Sequence, residues 1–328
     1  MFTKPEYDEY THAYRRLLTN MKDALEAGDI ENLRRDIEHA YTQGAYGEDI
    51  YGLNILSRNM YTALIVSEEI GLKRASVLSV LISEAVLSGK ISVEDVEKTY
   101  GSDVSGIISG LIKIQELYSK NAVIETENFR KLLLSFAEDV RVVLIMIADR
   151  LYLMRVAKHF QNEEQRMKVS TEASYLYAPL SHKLGLYKIK SELEDLSLKF
   201  RDRKAYDFIA HKINETKASR DKYIASFIAP IEEKLKNANL IFDIKGRTKS
   251  IHSINNKLQK QKIEFESIYD LFAIRVVLDS PLEKEKAECW QVYSIITDMY
   301  QPNPKRLKDW LSIPKSNGYE SLHTTVMG

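Results

Sequence analysis

The chain has 328 residues, which is longer than one typical domain, so we expect two domains, or two and a connector. Its 47 Lys and Arg residues balance 47 Asp and Glu residues, and this zero net charge does not support attraction to nucleic acid or membranes. Cys289 is the only cysteine, which excludes an intramolecular disulfide and a cysteine zinc site. The longest apolar run, 142–148, is far shorter than the roughly 20 residues that a membrane helix needs. We therefore expect a soluble cytoplasmic protein with no membrane partner and no direct contact with nucleic acid.

Helical periodicity dominates the first part of the chain. The spacing of apolar residues predicts helices over 61–70, 76–87, 93–100, 103–118 and 127–160. We expect Gly71 to end the first of these in a left-handed conformation. A charged segment, 199–236, has the pattern of a connecting helical pair. These elements predict an all-α domain over 1–195 and a helical connector over 196–236.

The period of the apolar pattern changes from residue 237 onward. Leu240, Phe242 and Ile244 alternate with polar residues, as in a half-buried strand, and the dense apolar run Phe272–Leu278 predicts a central strand. A helix over 287–300, a proline-punctuated loop over 301–315 and an alternating strand over 322–326 follow. We therefore predict an α+β domain over 237–328, with helices packed on a small sheet.

The segment 245–262 holds six Lys or Arg residues and no acidic residue. It starts at the end of a predicted strand and enters a helix with serines in its first turns. Backbone N–H groups at a helix start, hydroxyls and cationic side chains together suit a polyphosphate. The same composition is also typical of a solvated basic helix face, and this segment alone leaves both interpretations open.

Asp270 stands at the start of the apolar strand, and Arg275 lies five residues later inside it. A carboxylate at a strand end can hold Mg²⁺ while substrate phosphates complete the coordination. A charged Arg within a strand requires a partner or a ligand. A structural ion pair between the two residues would also explain them.

A second group of basic residues lies between 304 and 325. Tyr319 could stack on a nucleotide base, Asn317 could read a base edge, and the cations of this segment could hold phosphates. A tight turn is the simpler explanation for Asn317 followed by Gly318.

Four blocks in this order, GRTKSIHSINNK, YDLFAIR, RLKD and PKSNGYESLHTT, resemble the nucleotidyltransferase-like synthetase domain of long RelA/SpoT-homologue proteins, over about eighty residues. The resemblance implies transfer of pyrophosphate from ATP to the ribose 3′-hydroxyl of GDP or GTP. By position it also implies a role for each matching residue. These are Arg247 and Arg275 beside adenine; Lys249, Ser253 and Lys257 at the ATP phosphates; Asp270 as the catalytic Mg²⁺ ligand; and Tyr319 on guanine, with Lys308, Lys315, Asn317 and His323 lining the acceptor side.

In that family a Glu-x-Gln on the next strand supplies a second carboxylate to the metal and the candidate base for the hydroxyl. The chain ends at Gly328, before any residue that matches it. We therefore expect an incomplete synthetase domain in a truncated chain, with weak or no pyrophosphate transfer, and activity in a longer chain. Full transfer from ATP to GDP in the present chain with Mg²⁺ would contradict this expectation.

The first part resembles the helical HD-type phosphohydrolase domain of the same family in the segments 69–72, 81–84, 128–133, 139–145 and 148–151. In the family a His, a His-Asp pair and a distant Asp hold Mn²⁺. By spacing, these positions fall on Asn59, on Ser83 and Glu84, and on Asp149, so that only the last ligand is kept. The neighbouring catalytic positions fall on Leu87, Ser88, Tyr152 and Leu153.

Two further observations bear on the predicted hydrolase domain. Residues 40–57 contain no Lys or Arg, where the family has a basic nucleotide-binding loop. Hydroxyl and amide groups are poor substitutes for imidazole as ligands of Mn²⁺. We therefore expect no Mn²⁺ and no hydrolysis, with the domain kept as a scaffold or regulator.

The resemblance leaves some functions open. The basic RLKD block is the form found in members with both activities, whereas synthetase-only members often carry an acidic form, so the metal count and nucleotide preference stay undecided. A non-catalytic guanine-nucleotide sensor and a helical interaction scaffold are the alternatives. Asp270 with both arginines argues against the sensor, and the specific loop residues argue against the scaffold. ATP and GDP or GTP are the expected partners, with the ribosome reached through regions beyond this chain.

Overall fold

The computed structural model describes residues 4–120, 139–268, 271–315 and 318–327, without the side chains of residues 4–8, 119, 120, 220 and 247. The chain divides into two compact units. Unit 1 comprises Met1–His182 and Leu186–Arg201, and unit 2 comprises Lys183–Gly185 and Asp202–Gly328. Each unit has a hydrophobic core of its own.

Unit 1 is built of helices. In chain order these are α1 (Lys4–Met21), α2 (Asp29–Thr42), α3 (Ile55–Leu64), α4 (Arg74–Leu87), α5 (Val93–Tyr100), α6 (Ser102–Lys120), α7 (Val140–Val156), α8 (Glu163–Glu172), α9 (Ala178–Lys183) and α10 (Tyr187–Arg201). Two π-helical turns, Ile65–Ile70 and Ala173–Tyr177, directly continue α3 and α8. In the part of the chain that the structure describes, no helix is long and apolar enough to cross a membrane.

The core of unit 1 is centred on α4 and α7. Helix α4 buries Val77, Leu81 and Ile82 together with most of its other residues, as expected for a helix that packs inside a domain. Helix α7 fully buries Ile147 and Leu151. Each fully buried aliphatic side chain stabilises the fold by about 1.5–3 kcal/mol, so these two helices fix the frame on which the other helices pack.

An ion pair sets how α2 approaches α4. Arg74 in the first turn of α4 donates from Nε and Nη2 to the two carboxylate oxygens of Asp29, at 2.7 Å each. Asp29 is 3% exposed and also accepts the backbone N–H of Glu26 at 2.7 Å. Removing one partner of such a pair typically costs about 3–5 kcal/mol, because the remaining charge stays buried.

The predicted helices of unit 1 are confirmed, with two differences. Helix α3 begins at Ile55, where the Asn54 side chain accepts the Ser57 N–H, and Gly71 ends the segment with φ 84° as expected. The continuous helix over 127–160 is wrong at residue 139: Asp139 is extended and caps α7 by accepting the Arg141 N–H at 2.8 Å. The stretch 121–138 lies outside the described residues.

In the described residues, unit 2 combines four α-helices with six strands. They are α11 (Arg203–Glu215), α12 (Lys217–Asn237), β1 (Phe242–Thr248), α13 (Ile251–Gln261), β2 (Phe272–Leu278), α14 (Glu285–Met299), β3 (Gln301–Pro302), β4 (Lys308–Asp309), β5 (Leu322–His323) and β6 (Val326–Met327). The segment 196–236, predicted as a separate connector, divides differently. Helices α11 and α12 belong to unit 2 because Ile209 packs with Ile254 and Phe265, and Ile231 packs with Val292.

The strands of unit 2 form three antiparallel pairs. Strands β1 and β2 pair from Phe242 opposite Leu278 to Thr248 opposite Phe272. Among the described residues β2 has no second neighbour and one of its faces is exposed, so the predicted central position is not seen.

The last segments of unit 2 correct two predictions. The loop predicted over 301–315 contains β3, a 3₁₀ turn (Pro304–Arg306) and β4. The strand predicted over 322–326 is split into β5, which pairs with β4, and β6, which pairs with β3. The chain crosses between two partners within a few residues, so one alternating pattern serves two strand pairs.

Candidate functional site

The junction of β1 and α13 brings three of the predicted ATP residues into line. Ser250 is extended and caps α13: its Oγ accepts the Ser253 N–H at 3.3 Å and donates to the Ser253 Oγ at 2.8 Å. The Lys249 N–H donates to the Leu271 carbonyl at 2.8 Å, which fastens this junction to the start of β2. Lys249, Ser253 and Lys257 follow one another at four-residue spacing and are all half-buried. The junction thus presents a helix N-terminus, a hydroxyl and two cations.

The two arginines predicted beside adenine lie on paired strands. The backbone of Arg247 lies opposite Ala273, and Arg275 lies opposite Lys245. Arg275 is exposed on the open face of β2. Asp270, the predicted Mg²⁺ ligand, lies outside the described residues.

The predicted acceptor residues meet where β4 and β5 pair. Lys308 is the register partner of His323. The Tyr319 hydroxyl lies 2.8 Å from His323 Nε2, and the two rings meet edge to face at 5.9 Å. The Lys315 Nζ lies 4.9 Å from the centroid of the Tyr319 ring and 5.0 Å from that of Trp310. Asn317 lies outside the described residues.

Burial and nearby cations both act on the pKa of His323. Partial burial lowers the pKa of the His323 imidazole below its usual value. Three cations lower the pKa further, which are Lys315, Lys308 and Arg275. Arg275, predicted on the ATP side, therefore acts on the same imidazole as the lysines predicted on the acceptor side. Such a concentration of positive charge beside two aromatic rings suits a phosphorylated base.

In unit 1 the position predicted to keep a metal ligand is taken by an ion pair. Asp149 on α7 accepts from Arg58 on α3 through both of its oxygens, at 2.7 Å from Nε and 2.6 Å from Nη2. Burial acts to raise the pKa of the Asp149 carboxyl, but the Arg58 charge and hydrogen bonds outweigh it and hold this pKa below its usual value. Both oxygens of the one retained ligand are thus already in use.

Asp49 completes the surroundings of Arg58. Its Oδ2 accepts from Arg58 Nη1 at 2.8 Å, while its Oδ1 accepts the backbone N–H groups of Tyr51 and Leu53 at 2.8 and 2.9 Å. The loop before α3 is therefore folded around this carboxylate, which is 9% exposed. The Arg58 guanidinium also lies 5.9 Å from the centroid of the Tyr51 ring.

The other positions of the predicted hydrolase site offer few ligands. The Ser83 hydroxyl donates to the Val80 carbonyl of its own helix at 2.9 Å. The Asn59 Nδ2 is buried and has no hydrogen-bond partner among the residues that the structure describes. Burial raises the pKa of the Glu84 carboxyl, and Arg58 opposes part of this rise. Tyr152 stacks on Tyr61 at 5.4 Å.

These side chains do not fit a divalent metal. Within the described ranges, no group of three or more His, Cys, Asp or Glu side chains could hold a metal ion. Mn²⁺ favours oxygen and imidazole ligands that are not already committed elsewhere, whereas both oxygens of Asp149 bind a guanidinium.

A second arginine lies directly beside Asp149. Arg150 and Glu172 form an ion pair at 2.7 Å in which each side chain is 9% exposed. The guanidinium carbon lies 4.7 Å from the centroid of the Tyr177 ring, whose hydroxyl is 2.8 Å from that of Tyr118. Within the described ranges, neither Nε nor Nη1 of Arg150 has a hydrogen-bond partner. This part of unit 1 is held by charge and aromatic contacts in a confined space.

Sequence reasoning missed Arg58, Asp49 and Trp310. Arg58 directly precedes Asn59, one residue beyond the stretch searched for basic side chains. A cation placed next to a lost ligand position is a signal that could have revealed the pair. Trp310 directly follows the RLKD block, and an aromatic residue beside basic residues is the corresponding signal for a base site.

Comparison with known proteins agrees with this division. A family profile described as "HD domain" matches residues 39–187, and one described as "Region found in RelA / SpoT proteins" matches residues 246–328. The chain is thus an HD-domain protein that also carries a RelA/SpoT region. It is 33% identical over 265 residues to the GTP pyrophosphokinase of Myxococcus xanthus, and 30% identical over 261 residues to the bifunctional (p)ppGpp synthase/hydrolase SpoT of Escherichia coli (strain K12). The chain belongs to the RelA/SpoT-homologue family, as its four motif blocks indicated.

The alignments cover only part of each relative. Each alignment covers 79% of this chain but 34% and 36% of the two relatives, so the chain spans about a third of their length. A solved structure described as "A metazoan ortholog of SpoT hydrolyzes ppGpp and plays a role in starvation responses" aligns with a TM-score of 0.39 at 19% identity, over 55% of this chain and 97% of that one.

Proposed function

We propose that unit 2 provides the substrate-binding part of a site that transfers pyrophosphate from ATP to the ribose 3′-hydroxyl of GDP or GTP, and that unit 1 does not hydrolyse the product. The observation that carries the first part is the gathering of Lys308, Lys315 and Arg275 around Tyr319 and His323. The α13 N-terminus with its hydroxyl and two cations supports a polyphosphate site in the same unit. The name of the Myxococcus xanthus relative describes the same class of reaction.

The chemistry explains why such residues are needed. The acceptor hydroxyl oxygen forms a bond to the β-phosphorus of ATP, while the bond from that phosphorus to the oxygen of the α-phosphate breaks and AMP leaves. The proton of the hydroxyl passes to a base, and charge builds up on phosphoryl oxygens. Lys249, Lys257 and Arg275 supply fixed positive charge on the donor side, and Tyr319 offers a stacking face to guanine.

Mg²⁺ would be held by Asp270 and the substrate phosphates, and when bound it would neutralise charge on the transferred group. This role stays a proposal, because Asp270 lies outside the described residues. The junction of β1 and α13 does not depend on the metal, since the backbone N–H of Lys249 donates to the Leu271 carbonyl and that of Ser253 donates to the Ser250 hydroxyl.

The loss of hydrolysis in unit 1 is supported by the state of Asp149. A carboxylate with both oxygens on Arg58 has to share or give up these hydrogen bonds to bind a metal, and Asn59 and Ser83 offer no imidazole. Mn²⁺-dependent release of pyrophosphate from guanosine tetraphosphate by this chain would refute this part of the proposal.

Nucleotide binding and transfer test the first part. Calorimetry with GDP, and with a non-hydrolysable ATP analogue in Mg²⁺, should show both nucleotides bound to unit 2. We expect Lys257→Ala to weaken binding of the analogue by about 10- to 100-fold, the worth of one charge-assisted hydrogen bond. Lys260→Ala is the matched control, because Lys260 is exposed on the same helix and should leave binding unchanged.

Transfer itself is measured with ATP labelled on the γ-phosphate and GDP or GTP as acceptor, in this chain and in a longer chain that continues past Gly328. Label in the guanine nucleotide formed by the longer chain would support the proposal, and the present chain should form little or none. Binding of GDP without binding of the ATP analogue, and no transfer in either chain, would instead indicate a guanine-nucleotide sensor.

A further inference from the structure

The centre of unit 1 contains a cation that belongs to the chain itself. The Arg58 guanidinium is enclosed by two carboxylates from different segments, Asp149 on α7 and Asp49 in the loop before α3. All three N–H···O contacts are between 2.6 and 2.8 Å. The three side chains are 22%, 28% and 9% exposed for Arg58, Asp149 and Asp49, so water screens them only in part.

Two carboxylates gathered in this way require positive charge between them. Without it, their mutual repulsion and partial burial would disfavour the ionised form of both. In the hydrolase domains that this unit resembles, the resemblance places a divalent ion at the position of Asp149. Here the guanidinium makes two hydrogen bonds to Asp149 in the side-by-side geometry that arginine and carboxylate groups prefer, and its remaining Nη1 reaches Asp49.

The position of Arg58 is itself fixed by the fold. Asp49 is held by two backbone N–H groups of its own loop, and Asn54 caps the helix on which Arg58 lies. The Arg58 side chain is therefore held in this position and is not a freely rotating surface side chain. The loop of Asp49 and the helix of Arg58 are thus each held by hydrogen bonds that do not involve the ion pair.

We propose that Arg58 replaces the divalent ion of the hydrolase-like domain: its guanidinium joins Asp49 to Asp149 and thereby excludes a metal from this position. This inference deepens the proposed loss of hydrolysis and rests on it. The replacement of the ion by Arg58 is tested by metal binding and stability, whereas the loss of hydrolysis is tested by turnover. Each of these two proposals can therefore fail without the other.

Substitution of Arg58 gives the direct test. Electron paramagnetic resonance of free Mn²⁺ should show that the wild-type chain has no Mn²⁺ site that depends on Asp149. Arg58→Ala removes the cation but keeps both carboxylates, and we expect it to gain one Mn²⁺ site at least about tenfold tighter than the background. In Arg58→Ala/Asp149→Asn one of the two carboxylates is neutralised, so the gained site should be lost.

Thermal unfolding gives an independent readout. The transition of unit 1 in the wild-type chain should be unchanged by EDTA or Mn²⁺. In Arg58→Ala it should fall by about 6–12 °C in EDTA, because two carboxylates lose their shared partner, and millimolar Mn²⁺ should restore at least half of that loss. Arg58→Lys keeps the charge without the fork of donors and should unfold between the two, without a Mn²⁺ site.

Three results would overturn the proposal. The first is Mn²⁺ binding by the wild-type chain that Asp149→Asn abolishes. The second is a folded Arg58→Ala variant with no additional Mn²⁺ site. The third applies if Arg58→Ala does not fold in EDTA: failure of Mn²⁺ to recover the helical circular dichroism during refolding would show that the ion cannot take the place of the side chain.

Discussion

The buried pair of Arg150 and Glu172 makes a quantitative prediction about unit 1. Glu172→Gln removes one charge and leaves the other in a site where both side chains are 9% exposed. In the part of the chain that the structure describes, Nε and Nη1 of Arg150 already lack hydrogen-bond partners, so the guanidinium depends strongly on Glu172. The ring of Tyr177, 4.7 Å away, offers only a weak substitute for a carboxylate.

The size of the effect follows from this geometry. Removing one partner of a buried ion pair lowers the free energy of unfolding by about 3–5 kcal/mol. Because the guanidinium is confined, we expect a loss of about 4 kcal/mol here. In a unit of this size each kcal/mol lowers the unfolding temperature by roughly 2–4 °C, so we expect Glu172→Gln to lower the transition of unit 1 by about 8–16 °C. Arg150→Met/Glu172→Leu removes both charges and should cost less than Glu172→Gln alone.

Differential scanning calorimetry on the whole chain measures this shift and separates the transitions of the two units. Glu163→Gln is the matched control, because Glu163 lies on the same helix and pairs with Arg166, but is 67% exposed. An exposed pair contributes at most about 1 kcal/mol, so this variant should move the transition by less than about 4 °C. Equal shifts in Glu172→Gln and Glu163→Gln would refute the reasoning from burial.

Three further predictions concern packing, the base site and pH. Gly110→Ala on α6 should destabilise unit 1 by about 1–3 kcal/mol, because an added Cβ would lie 2.6 Å from Val142 Cγ2. Tyr319→Ala should weaken GDP binding by about 1–3 kcal/mol, the worth of one stacked base, whereas Tyr319→Phe keeps the ring and should retain most of the affinity. The lowered pKa of His323 means that the unfolded state takes up its proton first. Unit 2 should therefore lose stability as the pH falls below about 6.5, an effect absent in His323→Gln.

Each of these predictions has its control. Gly106→Ala lies on the same helix with nothing within 4 Å of the added Cβ, so it should stabilise unit 1 by about 0.5–1 kcal/mol, and Gly110→Ala/Val142→Ala should recover part of the loss. Denaturant unfolding that shows the same effect for both glycines would contradict the clash. Fluorescence titration with a labelled GDP that does not distinguish Tyr319→Ala from Tyr319→Phe would argue against stacking. A flat pH profile of unit 2 in the wild-type chain would exclude a contribution from His323.

The secondary structure was largely readable from periodicity, and the exceptions have physical causes. Helix Val93–Tyr100 and strand Phe272–Leu278 match the predicted bounds because cap residues or a change of period mark their ends. The break at Asp139 was missed because an apolar pattern continues across it, while the carboxylate that caps α7 acts through hydrogen bonds to the backbone and side chain of Arg141. The split between β5 and β6 depends on which strands they pair with, and periodicity does not contain that information.

The candidate site was readable where chemistry is concentrated in consecutive residues. Lys249, Ser253 and Lys257 were assigned from one motif block, and the contact of Tyr319 with His323 joins residues four apart. The pairing of Arg58 with Asp149 joins residues far apart in the chain, and sequence spacing gave only the lost ligands around it. The sequence shows which metal ligands the predicted hydrolase site lacks. Only the structure shows that Arg58 pairs with the ligand that is left.

A bridging cation that is a side chain differs from a bound ion in how it is supplied. The guanidinium between Asp49 and Asp149 is made with the polypeptide, so every copy carries one, and neither dilution nor chelation removes it. Its presence is encoded by a single codon. The proposed replacement would therefore uncouple the integrity of this domain from the trace-element supply of the cell and make it depend on this codon alone.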